Sequence, residues 1–137
     1  MSAPVSKYIT VLDRELHYME WGAPDRPKLV LWHGLARTGR DFDDLAEALA
    51  ARWHIVAPDT IGRGLSQWSP KPEEEYCLDF YARLATAFVD AIGWRTFHWV
   101  GTSMGGAIAL RAGAGPLAGR IQRLVLNDIG PELNPQA

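Results

Sequence analysis

The chain is poor in the features that would remove a protein from water, staple it together or load it with one charge. It has a single cysteine, Cys77, so no internal disulfide can form and nothing points to an oxidising compartment. Cys77 sits in Glu75-Tyr76-Cys77-Leu78 without a basic neighbour, which predicts an inert thiol and not a nucleophile. No apolar run approaches the roughly 20 residues that span a bilayer. Met1-Ser2-Ala3-Pro4 lacks the charged-then-apolar order of a secretion signal. A cytoplasmic protein with no membrane partner is the expectation. Basic residues never gather into a block and the formal net charge is -2, which argues against nucleic acid as a partner, because phosphate binding needs a concentrated basic face. Internal repeats and low-complexity stretches are also missing.

What is present describes one globular domain: 137 residues, 47% hydrophobic and only 22% charged, outside the composition of a disordered tail. Tyr8 to Leu12 and Leu16 to Trp21 read as short strands joined by a turn at Asp13-Arg14-Glu15. Lys28 to Trp32 is a compact apolar run suited to a buried central strand. From about Asp41 to Arg52, Phe42, Leu45, Ala46 and Leu49 recur at the spacing of a helix with one buried face. His54 to Ala57 is the next strand, followed by a loop rich in Gly, Ser and Pro. Phe80, Leu84, Phe88 and Ile92 mark a long helix from Leu78 to Ile92, with Gly93 as its end cap. Phe97 to Val100 is a strand, Ser103 to Ala112 a helix and Ile121 to Leu126 a last strand. Strands alternating with helices predict an α/β fold, a mostly parallel sheet with helices on both faces.

One turn carries chemistry. Gly101-Thr102-Ser103-Met104-Gly105 fits G-x-S-x-G, with a strand running in and a helix running out. A serine there is forced into strained backbone geometry, and flanking glycines are needed because side chains would collide with the neighbouring strand and helix. The turn lifts the hydroxyl above the carboxyl ends of the strands, and the new helix's free N–H groups favour developing negative charge. An ordinary Gly-rich turn is the plainer reading of this motif by itself. A nucleotide-binding turn is excluded by the absence of G-x-G-x-x-G spacing and of any GK[ST].

His33-Gly34-Leu35 directly follows the strand ending at Trp32, and with it the chain resembles the α/β-hydrolase superfamily. Ala57-Pro58-Asp59-Thr60-Ile61-Gly62-Arg63-Gly64-Leu65-Ser66 resembles that family's D-x-x-G-x-G-x-S loop, and Leu126-Asn127-Asp128-Ile129-Gly130-Pro131 the segment after its sixth strand. The four matches occur in order along the whole chain. The resemblance implies that Ser103 is a nucleophile and that the backbone N–H groups of Leu35 and Met104 form an oxyanion hole. It implies that His33 braces its loop and that Asp59 bonds nearby backbone. The implied reaction is attack on a small acyl substrate, a carboxylic ester or similar, through an acyl-enzyme, with no metal or organic cofactor. A serine in place of an aspartate sets the chain apart from the epoxide-hydrolase and haloalkane-dehalogenase branches. Trp32, beside the oxyanion loop, and Trp68 are candidates to line an acyl pocket.

The same resemblance exposes a gap. The family's chain order is Ser, then acid, then His, but His17, His33, His54 and His98 all precede Ser103. Asp128 stands where a minority of members place the acid, in competition with a plain turn-forming role. Residues 1–137 therefore read as the N-terminal part of one catalytic domain, incomplete at six strands, with the lid and last two strands elsewhere. The sixth strand would be an open apolar edge. The expectation is a second polypeptide, the C-terminal half of the fold, that supplies the histidine, as a nicked or split enzyme would. The alternatives are a non-catalytic truncated hydrolase or a ligand-binding protein of the same fold.

Overall fold

The structure, a computed structural model, describes residues 3–127. Asp128 and everything after it lie outside the described residues. Six strands form a single sheet: β1 (Val5–Val11), β2 (Arg14–Trp21), β3 (Lys28–Trp32), β4 (His54–Pro58), β5 (Phe97–Thr102) and β6 (Ile121–Asn127), in the spatial order β1-β2-β4-β3-β5-β6. β1 pairs antiparallel with β2 and β2 antiparallel with β4, and every remaining pairing is parallel. The sheet is thus mostly parallel, as the alternation of elements predicts.

Period-two alternation sends neighbouring side chains to opposite faces. Val30 and Trp32 of β3 join Val56, Trp99, Leu84, Phe88 and Ile108 in the larger core, under α3 (Leu78–Ala91) and α4 (Met104–Gly113). Leu29 and Leu31 face the other way, onto Ile55, Ala57, Phe42 and Ala46, under α1 (Asp43–Leu49). Helices therefore cover both faces. In the larger core Trp32 and Trp99 stack, centroids 5.4 Å apart and 7° from parallel, and Phe88 meets Trp32 edge-on.

Several details depart from the sequence reading. The hairpin turns at Leu12 and Asp13, both at positive φ (49° and 59°), and not at Asp13-Arg14-Glu15, so β1 and β2 stay in register down to Val11 opposite Arg14. A one-turn helix, α2 (Pro72–Glu75), occupies the loop after β4. α1 is preceded by a 3-10 turn at Gly39–Phe42, which rotates its buried stripe so that Ala46 is covered and Leu45 is 41% exposed. Trp32 lies 1% exposed in the core and Trp68 is 75% exposed on the surface, so Trp32 lines no open pocket. No helix of the described residues is long and apolar enough to cross a membrane.

Candidate active site

Ser103 is the hinge between β5 and α4. Its backbone is at φ 51°, ψ -112°, the strained left-handed side where a non-glycine residue is rare, and its side chain is exposed. The strain is locked in place from both sides. The Ser103 N–H donates to the Asn127 carbonyl at 3.1 Å, tying the turn to β6, while its own carbonyl accepts the N–H groups of Gly106 and Ala107. Both flanking glycines are sterically required: a Cβ on Gly101 would stand 2.4 Å from the Gly106 nitrogen, and one on Gly105 2.1 Å from the Trp32 carbonyl oxygen. The same tight seat lets the indole Nε1–H of Trp99 donate to the Gly105 carbonyl at 3.1 Å.

The His33-Gly34-Leu35 turn stands against this elbow. The position of a Cβ on Gly34 would be 3.6 Å from the Cβ of Ser103, ordinary contact distance. Neither the Leu35 N–H nor the Met104 N–H donates to an acceptor among the described residues. Two unengaged donors thus belong to residues that flank an exposed serine hydroxyl, and one of them starts a ten-residue helix whose N-terminus carries partial positive charge. An adjoining cleft of about 660 Å³ has Arg37, Leu45, Leu49, Val100, Thr102 and Val125 among its lining; Ser103 is beside it, not in it. Another cavity, of about 530 Å³ around Trp94, Arg95 and Arg120, lies by the opposite ends of the strands.

None of the four histidines serves the hydroxyl. His33 is fully buried; its Nδ1–H donates to the Gly34 carbonyl at 2.6 Å and its Nε2 accepts the Thr60 N–H at 2.9 Å. Both ring nitrogens are occupied, and burial lowers its pKa, so it is a neutral brace. His17 is likewise buried, with Nδ1 on Asp59 Oδ2 at 2.8 Å and Nε2 on the Ser6 hydroxyl at 2.6 Å. It is three strand spacings from β5, roughly 14 Å. His54 is taken by Glu20 and, at 2.9 Å, by Lys28. His98 precedes Ser103 by five residues on the same strand, roughly 16 Å; it packs edge-on against Trp53, and burial together with Arg123 lowers its pKa.

Asp59 does the structural work expected of it. Oδ1 accepts the Gly39 N–H at 2.8 Å, and Oδ2 accepts the Leu65 N–H at 3.0 Å beside the His17 bond. Asp128 lies outside the described residues. Two residues of this region escaped the sequence reading. Thr60 accepts the Trp32 Nε1–H at 2.8 Å and backs His33, and Arg63 donates from Nε to the Leu35 carbonyl at 3.0 Å. Their only signal in the sequence is a place inside the Asp59–Ser66 loop; nothing there says which way their side chains reach. Among the described residues no three His, Cys, Asp or Glu side chains cluster as metal ligands.

The fold and this elbow together define a class of protein, and the comparisons agree. Residues 27–137 match the model of the alpha/beta hydrolase fold family, and the chain belongs to that family. It is 41% identical over 121 residues to a 3-hydroxybutyrate-oligomer hydrolase of Cupriavidus necator, covering 88% of this chain and 41% of that one. It is 32% identical to a non-heme chloroperoxidase of Burkholderia pyrrocinia, covering 92% and 46%. An alpha/beta hydrolase from Novosphingobium aromaticivorans superposes with a TM-score of 0.87 at 37% identity, over 99% of this chain and 48% of its own. The chain spans less than half the length of each of these relatives.

Proposed function

We propose that Ser103 is the nucleophile of a serine hydrolase that cleaves a small acyl substrate, a carboxylic ester or a close analogue. The observation that carries this reading is the strained, exposed Ser103 held beside the unengaged N–H groups of Leu35 and Met104. Oγ would attack the carbonyl carbon as a base takes its proton, and the carbonyl oxygen, now negative, would be held by those two N–H groups. The carbon–oxygen bond to the alcohol then breaks, the alcohol leaves with the proton, and water releases the acyl group from Ser103. An acyl-ester preference is supported by the relative that hydrolyses 3-hydroxybutyrate oligomers. We place the protein in the cytoplasm, a reading supported by its lone cysteine.

The proton acceptor comes from outside residues 3–127, because His17, His33 and His54 are committed and His98 is remote. In this reading residues 1–137 are the N-terminal part of a single catalytic domain. A second polypeptide stretch supplies the lid, the last two strands and the histidine, with Asp128 a candidate for the acid. The occupied histidines also favour a second reading, a non-catalytic or ligand-binding protein of this fold. A fluorophosphonate probe and p-nitrophenyl esters of two to eight carbons separate the two. Labelling of Ser103 with turnover in the assembled protein, lost by at least about 1,000-fold in Ser103→Ala, is the expected result. Turnover unaffected by Ser103→Ala would overturn the proposal.

A further inference from the structure

We infer that Ser6 is a second activated serine, a surface site that takes the acyl group of activated esters, and this inference does not depend on Ser103. Ser6 lies on the edge strand β1, four strand spacings from β5 and so roughly 19 Å from the elbow. Its hydroxyl oxygen is 2.6 Å from His17 Nε2, and His17 Nδ1 is 2.8 Å from Asp59 Oδ2. A nucleophile on β1, a base on β2 and an orienting carboxylate after β4 thus stand in line. The carboxylate sets the direction of both bonds. Asp59 already accepts the Gly39 N–H on Oδ1 at 2.8 Å and the Leu65 N–H on Oδ2 at 3.0 Å, so His17 Nδ1–H donates to it as well. That leaves His17 Nε2 with a lone pair turned to Ser6, whose O–H donates. The hydroxyl therefore points its proton at a base, as an activated serine must.

Burial decides what such a site can do. Ser6 is exposed, whereas His17 is 1% and Asp59 2% exposed. The Tyr8 ring also packs on His17, centroids 5.1 Å apart. The base is thus fixed in one orientation and meets the surface through the Ser6 hydroxyl. On an aryl ester, the bond from Ser6 Oγ to the carbonyl carbon forms while the hydroxyl proton passes to His17 Nε2. The ester C–O bond breaks, and the aryloxide departs with its electron pair as a stable anion that needs no proton. The imidazolium then returns its proton to solvent. A water that could release the acyl group finds no exposed imidazole nitrogen to activate it, so the acyl group stays, one per chain. Ser69 provides the contrast: its hydroxyl donates at 2.7 Å to Glu75, a carboxylate that Arg14 also holds.

The test treats the Ser103→Ala chain with p-nitrophenyl acetate and maps the acetyl group by tandem mass spectrometry, which separates Ser6 from its neighbour Lys7. Ser6 is expected to be acetylated once per chain, at least about 100-fold faster than Ser69, and His17→Gln should remove that advantage while circular dichroism stays unchanged. A second variant keeps His17 in place. In Ser6→Cys, iodoacetamide at about pH 6 should alkylate the substituted position at least about tenfold faster than Cys77, which is exposed and whose thiol donates only to the Glu74 carbonyl at 3.4 Å. Acetylation of Ser6 no faster than of Ser69 would overturn the inference. So would acetylation that persists in a folded His17→Gln chain, or a thiol at position 6 no faster than Cys77. The Ser103→Ala background keeps these results separate from the hydrolase reading, which stands or falls on turnover at the elbow.

Discussion

A methyl group added at residue 105 has nowhere to go. It would stand 2.1 Å from the Trp32 carbonyl oxygen, a backbone atom that cannot move without shifting β3. Gly105→Ala is expected to destabilise by about 3 kcal/mol or more, read from urea unfolding, and to abolish labelling of Ser103. Gly113 of the same helix is the control: an added Cβ there meets only the Ile121 methyl at 3.6 Å, so Gly113→Ala should be neutral or gain up to about 1 kcal/mol. His33 gives the pH prediction at this scale. Its folded pKa lies below the ordinary 6.5 because burial penalises the imidazolium. Above that value both folded and unfolded chains carry it neutral, and it costs nothing. As pH falls below it, the unfolded chain takes up the proton first, so stability should drop by up to about 1.4 kcal/mol per pH unit until the folded histidine also titrates. His33→Gln should remove that segment of the stability–pH curve. The elbow was legible in the sequence because G-x-S-x-G imposes local geometry, and the His33 brace was implied by the family resemblance that His-Gly-Leu carries. Arg63 was not, since its bond to the Leu35 carbonyl depends on two loops meeting in space.

At the level of elements, the β1–β2 hairpin is tied to the loops at the carboxyl ends of the parallel strands through one carboxylate. Asp59 after β4 binds His17 of β2, the Gly39 N–H before α1 and the Leu65 N–H of its own loop, all while 2% exposed. Asp59→Asn must turn an N–H₂ toward at least one of these donors. A loss of about 2–4 kcal/mol is expected from chemical denaturation, with a coupling of about 0.5–3 kcal/mol to His17→Gln in a double-mutant cycle. Additive losses would show that the two residues do not act as a unit. Long elements were read correctly from period alone: α3 has apolar residues every fourth position, and β3 is a buried run between polar loops. Short ones were not. α2 is a single turn opened by Pro72, and it is secured by the bond of Arg14 to Glu75 and of Ser69 to Glu75, contacts across 61 and six residues that no local pattern announces. The misplaced hairpin turn has a similar cause, since Leu12 and Asp13 accept positive φ only because the register of β1 on β2 requires it.

Across the whole molecule the two edges of the sheet are unequal. β1 at one edge exposes Val5 and Tyr8, each 51%, but sets Ser6, Lys7 and Thr10 among them, and Lys7 reaches across to Glu20 at 2.6 Å, polar and charged features that discourage pairing with another chain. β6 at the other edge leaves Val125 55% and Leu126 41% exposed, with Leu45 of α1 also 41% exposed across the cleft between them. Apolar surface on an edge strand is unstable against association, whether with a second copy or with the polypeptide that we propose completes the sheet. The chain by itself should therefore associate in a concentration-dependent way in sedimentation velocity. Val125→Lys should weaken that association at least about tenfold, while Val5→Lys on the β1 edge should leave it alone. If the same β6 edge receives the rest of the domain, adding that polypeptide should dissolve the self-associated species and bring on turnover that needs Ser103. Val125→Lys should then impair both steps together. Self-association that survives Val125→Lys, or turnover restored without displacing it, would place the partner on some other surface and leave β6 as an edge the protein simply tolerates.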